Sequence, residues 1–230
     1  MRRLAVLALS VWVMAGVVLA GEEPKAAEEP RAADEQGFVS LFNGKDLTGW
    51  VGSVKGYTAE DGLLVCLKAG GGNLFTEKEY ADFHFKFDFK LEANANNGVG
   101  IRSPLQGNPA YAAMEIQILD DSGSAYTKLQ PYQYHGSIYG VVACKRGHEK
   151  PVGEWNSQEI IAKGTKITII LNGVTIVDAD LQPFIDGTEN TADKGGIKGH
   201  PGLKNTKGHI GWLGHGSRIE FRNIRVKELK

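Results

Sequence analysis

Residues 114–121 read Met-Glu-Ile-Gln-Ile-Leu-Asp-Asp, an acid and an amide two positions apart with isoleucines interleaved. Side chains alternate between the faces of a strand, so Glu115 and Gln117 share one face while Ile116 and Ile118 share the other. A carboxyl group in that setting can carry a proton, and an amide can orient a polar ligand or hold a developing oxyanion. Asp120 joins the polar face if one extra residue, a β-bulge after Gln117, shifts the register. The same pattern also describes a solvated edge strand. Arg102 ends the segment Asn96-Asn97-Gly98-Val99-Gly100-Ile101-Arg102. Its planar guanidinium is a binder of carboxylate or sugar oxygens if it lies beside Glu115, and an ordinary surface group otherwise.

Tyr132, Tyr134, His135 and Tyr139 cluster with Gly136 and Gly140, and Trp155-Asn156 follows a basic loop. Aromatic platforms with amides and hydroxyls nearby suit the C–H face and polar rim of a pyranose; singly, each ring serves equally as a cap over a core. His200, His209 and His215 stand near glycine-rich turns, with His215 between two glycines and able to approach a ligand closely. Glu115, His135 and His215 are thus the candidate acids and bases. Arg102, Gln117, Asp120, Tyr139, Trp155 and Asn156 are the candidate substrate contacts. The chain contains no HExxH, CxxC, EF-hand, GxSxG or P-loop sequence, so no motif points to a particular cofactor, and a divalent metal ion rests only on scattered histidines and acids.

These groups need a scaffold of strands. Residues 83–91, Phe-His-Phe-Lys-Phe-Asp-Phe-Lys-Leu, alternate without a break, and shorter strand patterns recur at 39–42, 63–68, 98–102, 113–119, 159–162, 166–171, 174–178, 209–213, 218–221 and 224–229. Asn172-Gly173 supplies the positive φ pair of a type I′ turn and predicts a hairpin. No sustained helical period is present after the first twenty residues. The expected fold is all-β, a two-sheet antiparallel jelly-roll sandwich of the concanavalin A-like lectin or glucanase type, with long loops at 120–135 and 179–207 as places for binding groups.

The chain has 230 residues and a formal charge of -1, which gives no field toward nucleic acid or an anionic membrane and fits a neutral partner, which the aromatic and amide cluster makes a carbohydrate. Arg2 and Arg3 precede the apolar run Leu4 to Leu19, which ends Val18-Leu19-Ala20. Residues 1–20 therefore read as a signal peptide, with secretion or a periplasmic location and no membrane span after cleavage. Residues 21–36 are acidic, proline-containing and without aromatic side chains, an expected flexible linker. Residues 37–230 form the expected single domain, with 22 basic and 21 acidic side chains. Cys66 and Cys144 are open to two readings, a disulfide or two thiols. Nothing in the pattern fixes an oligomeric state.

Leu41-Phe42-Asn43-Gly44-Lys45-Asp46-Leu47-Thr48-Gly49-Trp50 resembles the opening of the 3-keto-disaccharide hydrolase family. Asn97-Gly98-Val99 to Arg102, Glu115 to Asp120, Gly136 to Gly140, Gly153-Glu154-Trp155-Asn156, Leu171-Asn172-Gly173 and Phe221 to Ile224 follow in the family's order, over residues 38–229. The resemblance implies a concanavalin-like jelly roll that cleaves glycosides already oxidised to a ketone at C3. Many relatives carry Gln-Asp-His-Gly where this chain has Leu213-Gly214-His215-Gly216, so only His215 carries over. A 3-keto group acidifies the C2 proton and makes the C1 oxygen a β leaving group, so the implied reaction is elimination followed by hydration, with acid and base not separately assigned. The other reading, open on the residues alone, is a non-catalytic lectin-like module.

Overall fold

The computed structural model describes residues 35–230; the signal-peptide segment and residues 21–34 of the linker lie outside the described residues. Gly37–Lys230 form one compact unit, and no helix among the described residues is long and apolar enough to cross a membrane. The alternating segments become β1 (Val39–Ser40), β2 (Trp50–Gly52), β3 (Tyr57–Glu60), β4 (Leu63–Cys66), β5 (Gly72–Tyr80), β6 (Phe83–Leu91) and β7 (Asn96–Ser103). After a single helical turn, α1 (Pro109–Ala112), come β8 (Met114–Leu119), β9 (Asn156–Lys163), β10 (Lys166–Leu171) and β11 (Val174–Asp180). Two further short helices, α2 (Gln182–Asp186) and α3 (Gly196–Gly199), precede β12 (Gly208–Gly214) and β13 (Ile219–Glu228).

The strands make two antiparallel sheets. One runs β11-β10-β9-β6-β13-β4-β3, with β1 also on β13, and the other runs β2-β5-β12-β7-β8. This is the two-sheet jelly-roll sandwich that the sequence predicts. The core between the sheets follows from period two: Phe83, Phe85, Phe87 and Phe89 of β6 are all fully buried. Trp212 of the opposite sheet stacks on Phe221 at 3.8 Å between ring centroids and meets Phe87 edge-on at 4.9 Å. Burial of each such ring is worth about 2–3 kcal/mol. The Asn172-Gly173 turn joins β10 to β11 with both residues at positive φ, 50° and 82°, as its sequence requires.

Two expected strands at 218–229 are one, β13. Asn223 enters the left-handed region at φ 52° and the register against β6 shifts between Arg222 and Arg225, so the buried residues change from odd-numbered Phe221 to even-numbered Ile224 and Val226. A bulge interrupts the period without ending the strand. Cys66 and Cys144 are both free thiols, and Cys144 Sγ donates to the His135 carbonyl at 2.9 Å.

Arg102 is where the structure departs most from the sequence reading. It takes φ 48° within β7, where the register against β12 shifts, and is buried. Nε donates to the Ala81 carbonyl at 2.9 Å, Nη1 to the Gly164 carbonyl at 2.7 Å and Nη2 to Asp82 Oδ1 at 2.9 Å. The guanidinium therefore clamps the β5–β6 turn to the β9–β10 turn. Replacing it by methionine fills the space but leaves those acceptors unpaired, so Arg102→Met is expected to cost about 3 kcal/mol. Urea unfolding measures this, and a loss below about 0.5 kcal/mol contradicts the clamp.

Candidate functional site

A cleft of about 290 Å³ opens on the face of the five-stranded sheet turned away from the core. Its floor comes from alternate positions of β8, Glu115, Gln117 and Leu119, with Asn96, Asn73 and Leu213 from neighbouring strands. Met114, Ile116 and Ile118 point the other way, into the core, so the alternation read from the sequence sets which groups reach the cleft. The outer edge of β8 is paired by a loop rather than a strand. Gln117 N donates to the Ser137 carbonyl, Gly136 N to the Gln117 carbonyl and Tyr139 N to the Glu115 carbonyl, at 3.0, 2.8 and 2.9 Å. That pairing covers the edge and sets Tyr139 into the wall beside Glu115.

The remaining wall is loop and helical turn. Asn108 caps α1, its side chain accepting from Ala110 N at 3.1 Å, and Pro109 opens the turn, which carries Tyr111 to the rim. Tyr126, Leu129 and Gln133 close the far side. Gln133 accepts from Gln130 N at 2.9 Å and donates to the Tyr139 hydroxyl at 3.1 Å. Gln117 donates to Asn96 Oδ1 at 3.4 Å.

Among the described residues, Glu115 is the one carboxyl group in the cleft lining, which holds no lysine or arginine. Gly100 lies opposite Glu115 and Gly98 opposite Gln117 in the β7–β8 ladder. A Cβ at Gly98 would fall 2.1 Å from Glu115 Oε1 and 2.8 Å from its Cγ, so the Glu115 side chain lies directly against the Gly98 backbone. No hydrogen-bond donor or cation meets this carboxyl among the described residues. Burial raises its pKa from 4.5 to about 7. His215 stands exposed just past β12 and lines the same cleft, where partial removal from water holds its imidazole below the ordinary value.

Glu115, Gln117, Tyr139 and His215 thus come together, and the other candidates do not. Arg102 is the turn clamp described above. His135 is fully buried, stacked on Phe89 at 5.0 Å, with Nδ1 accepting from Leu119 N at 3.2 Å and Nε2 on Gln158 Oε1 at 2.9 Å. Burial drives its pKa down to about 4. The β7–β8 register is unbroken to Asn96 opposite Leu119, so no bulge returns Asp120 to the polar face. Asp120 instead accepts from Asn94 N and the Ser122 hydroxyl, at 2.7 and 2.6 Å. It lines a second hollow of about 390 Å³ together with Asp121, Glu149 and Asn156. Asn156 Oδ1 there accepts from Lys150 N and Asn172 Nδ2, both at 2.8 Å. Trp155 lies under Arg222, whose guanidinium is 4.0 Å from the ring centre, with Lys90 at 5.1 Å.

Asn96, Asn108, Tyr111, Tyr126 and Gln133 were not singled out as cleft residues by the sequence. Asn108-Pro109 is an N-cap followed by proline at the first helical position, a start signal that marks α1 and so the turn that carries Tyr111; Asn96 opens β7, and Tyr126 and Gln133 lie between β8 and β9 with no period to read. Glu149 also went unnoticed: burial, then the charges of Asp121 and Asp120, push it up to about 9. Among the described residues, no three or more His, Cys, Asp or Glu side chains are grouped to hold a metal ion.

The fold and cleft together define a jelly-roll protein with an uncharged, amide- and tyrosine-lined site around a single carboxyl group. Residues 37–227 match the 3-keto-alpha-glucoside-1,2-lyase-like domain, and the chain belongs to that family. It is 26% identical over 228 residues to the 3-keto-disaccharide hydrolase of Bacteroides thetaiotaomicron, covering 84% of this chain and 79% of that protein. A crystal structure of a candidate glycosyl hydrolase from Parabacteroides distasonis is 32% identical, with a TM-score of 0.74 over 84% of this chain and 99% of the other. A second from the same organism is 28% identical, with a TM-score of 0.71 over 88% and 99%.

The raised pKa of Glu115 makes stability depend on pH. Because the folded value lies above the unfolded one, its stabilising contribution is complete below pH 4.5 and is lost as pH rises through about 7. The loss is on the order of 3 kcal/mol. Glu115→Gln removes it, so the stability of the variant relative to wild type is expected to rise between pH 5 and pH 8 in urea titrations; a difference independent of pH contradicts the assignment.

Proposed function

We propose that this domain cleaves 3-keto-glycosides of uncharged sugars by elimination and hydration, with Glu115 as the base. The carrying observation is the single, unpartnered carboxyl group in a cleft without cations. An ordinary glycosidase needs two carboxyl groups flanking the scissile bond, and this cleft lining supplies one. An elimination next to a ketone needs one base with a pKa near neutrality, which burial provides here. Family membership and the Bacteroides relative support the same class of substrate.

In this reading the Glu115 carboxylate takes the C2 proton, and the C–H electrons form the enolate at C3. The Gln117 amide holds the enolate oxygen, and the Tyr139 hydroxyl, which accepts from Gln133 and keeps its own O–H to give, holds the sugar ring. The enolate collapses to the ketone, C1=C2 forms and the C1–O bond breaks. Neutral His215 at the rim takes a proton from water and passes one to the departing oxygen. The hydroxide so formed adds at C1 while Glu115 returns its proton to C2, so the sum is hydrolysis. The Arg2-Arg3 and apolar sequence at the N-terminus supports action outside the cytoplasm.

Turnover of a 3-keto-glucoside tests the reading. Activity is expected to rise as pH increases through about 7, where Glu115 becomes carboxylate. Glu115→Gln is expected to lose about 10³-fold in kcat while still binding the sugar. Binding without turnover by the wild-type protein would make it a lectin-like module instead. Gly98→Ala is a second probe: the new methyl displaces the Glu115 side chain, so a folded protein with at least about tenfold lower kcat is expected. Wild-type activity in Gly98→Ala contradicts the placement of the base.

A further inference from the structure

The loop between β11 and β12 sends no side chain into the cleft lining. It packs behind it. Gly202 lies so close to α1 that a Cβ there would fall 2.4 Å from Ala113 N and O, and Asn205 Nδ2 donates to the Ala112 carbonyl at 2.8 Å. His200 sits in the middle of this contact, 1% exposed. Its ring centre is 5.3 Å from that of Tyr111, tilted by 43°. Its opposite edge rests on the residue after Tyr139, since a Cβ at Gly140 would fall 2.5 Å from His200 Cε1. One imidazole therefore touches the supports of both tyrosine walls.

Asp193 fixes that imidazole. His200 Nε2 lies 2.8 Å from Asp193 Oδ2, while the other carboxylate oxygen accepts from the Thr191 hydroxyl at 2.7 Å and Gly195 N at 2.8 Å. The backbone of the same turn is tied to the Tyr139 side of the cleft: Asp193 N donates to the Gly140 carbonyl at 2.9 Å and Ala192 N to the Val141 carbonyl at 3.0 Å. His200 Nδ1 is buried with no partner. A hydrocarbon side chain would fill this space without stranding a ring nitrogen, so what imidazole adds is the bond to Asp193 that sets the ring under Tyr111.

We propose that the pair formed by buried His200 and half-buried Asp193 is a positioning element that holds Tyr111 and Tyr139 at the spacing a sugar ring requires, and so governs affinity rather than chemistry. This rests on the reading of the cleft as a sugar site. The pair touches no reacting atom, which separates its effect from that of Glu115.

The test compares Asp193→Asn, His200→Phe, which keeps a ring, and His200→Gln, which keeps a donor for Asp193, using a 3-keto-glucoside. For Asp193→Asn and His200→Phe, KM is expected to rise roughly tenfold with kcat within about twofold, and His200→Gln to recover most of the loss. Unchanged KM in a folded Asp193→Asn protein, or equal loss in all three, overturns the proposal. If the wild-type protein neither binds nor turns over the sugar, the functional reading fails, and positioning is read separately by hydrogen exchange. Tyr111 N and Ala112 N donate to the Asn108 carbonyl and Tyr139 N to the Glu115 carbonyl. Faster exchange of these amides in His200→Phe or Asp193→Asn, restored in His200→Gln, supports the positioning role, and unchanged exchange overturns it. Should His200→Phe fail to fold, Asp193→Asn carries the same comparison.

Discussion

A carboxyl group laid against the glycine backbone of the next strand, largely buried and without a protein donor on its oxygens, is the interaction on which this site turns. Burial alone takes Glu115 to about 7, where one group can both accept and return a proton near neutral pH. A cation alongside would lower that value and fix the carboxylate in its charged form. The cleft lining excludes lysine and arginine, and the structure spends its arginine at this level, Arg102, on two turns at the far end of β7.

The geometry around Glu115 follows from the sandwich beneath it. An unbroken β7–β8 register places two glycines next to the Glu115 and Gln117 side chains, and the aromatic core locks that sheet to its partner through Trp212, Phe87 and Phe221. The cost of holding a largely buried acid is borne locally and is small against the core beneath it. Loops complete the site by covering the β8 edge and by bringing tyrosines and amides over the sheet face. The cleft is thus half regular and half irregular, with the proton-carrying group on the regular half.

That division explains what was legible in the sequence. Period two identified β6, β8 and most other strands, and it put Glu115 and Gln117 on one face without any structure. The Asn172-Gly173 turn was equally plain. Asp120 and Arg102 misled because each required a local departure: a bulge that does not form after Gln117, and a left-handed φ at Arg102 that does. Neither event leaves a mark in residue type. His135 has the chemistry of a catalytic group, but its burial is decided by Phe89 and Gln158, distant in sequence. Tyr111 reaches the cleft on the single turn α1 and Gln133 on the segment between β8 and β9, neither long enough to show a period. The trio β2, β3 and β5 also escaped notice, since two are short and β5 begins on glycine.

The central claim concerns one proton, and it can be observed directly. Carbon-13 NMR of the glutamate side-chain carboxyl groups, with Glu115 assigned by its loss in Glu115→Gln, follows that proton as pH is changed. The account predicts a midpoint near 7 for Glu115. A midpoint near 4.5, the ordinary glutamate value, would mean that water or a donor reaches the carboxylate, and would contradict it.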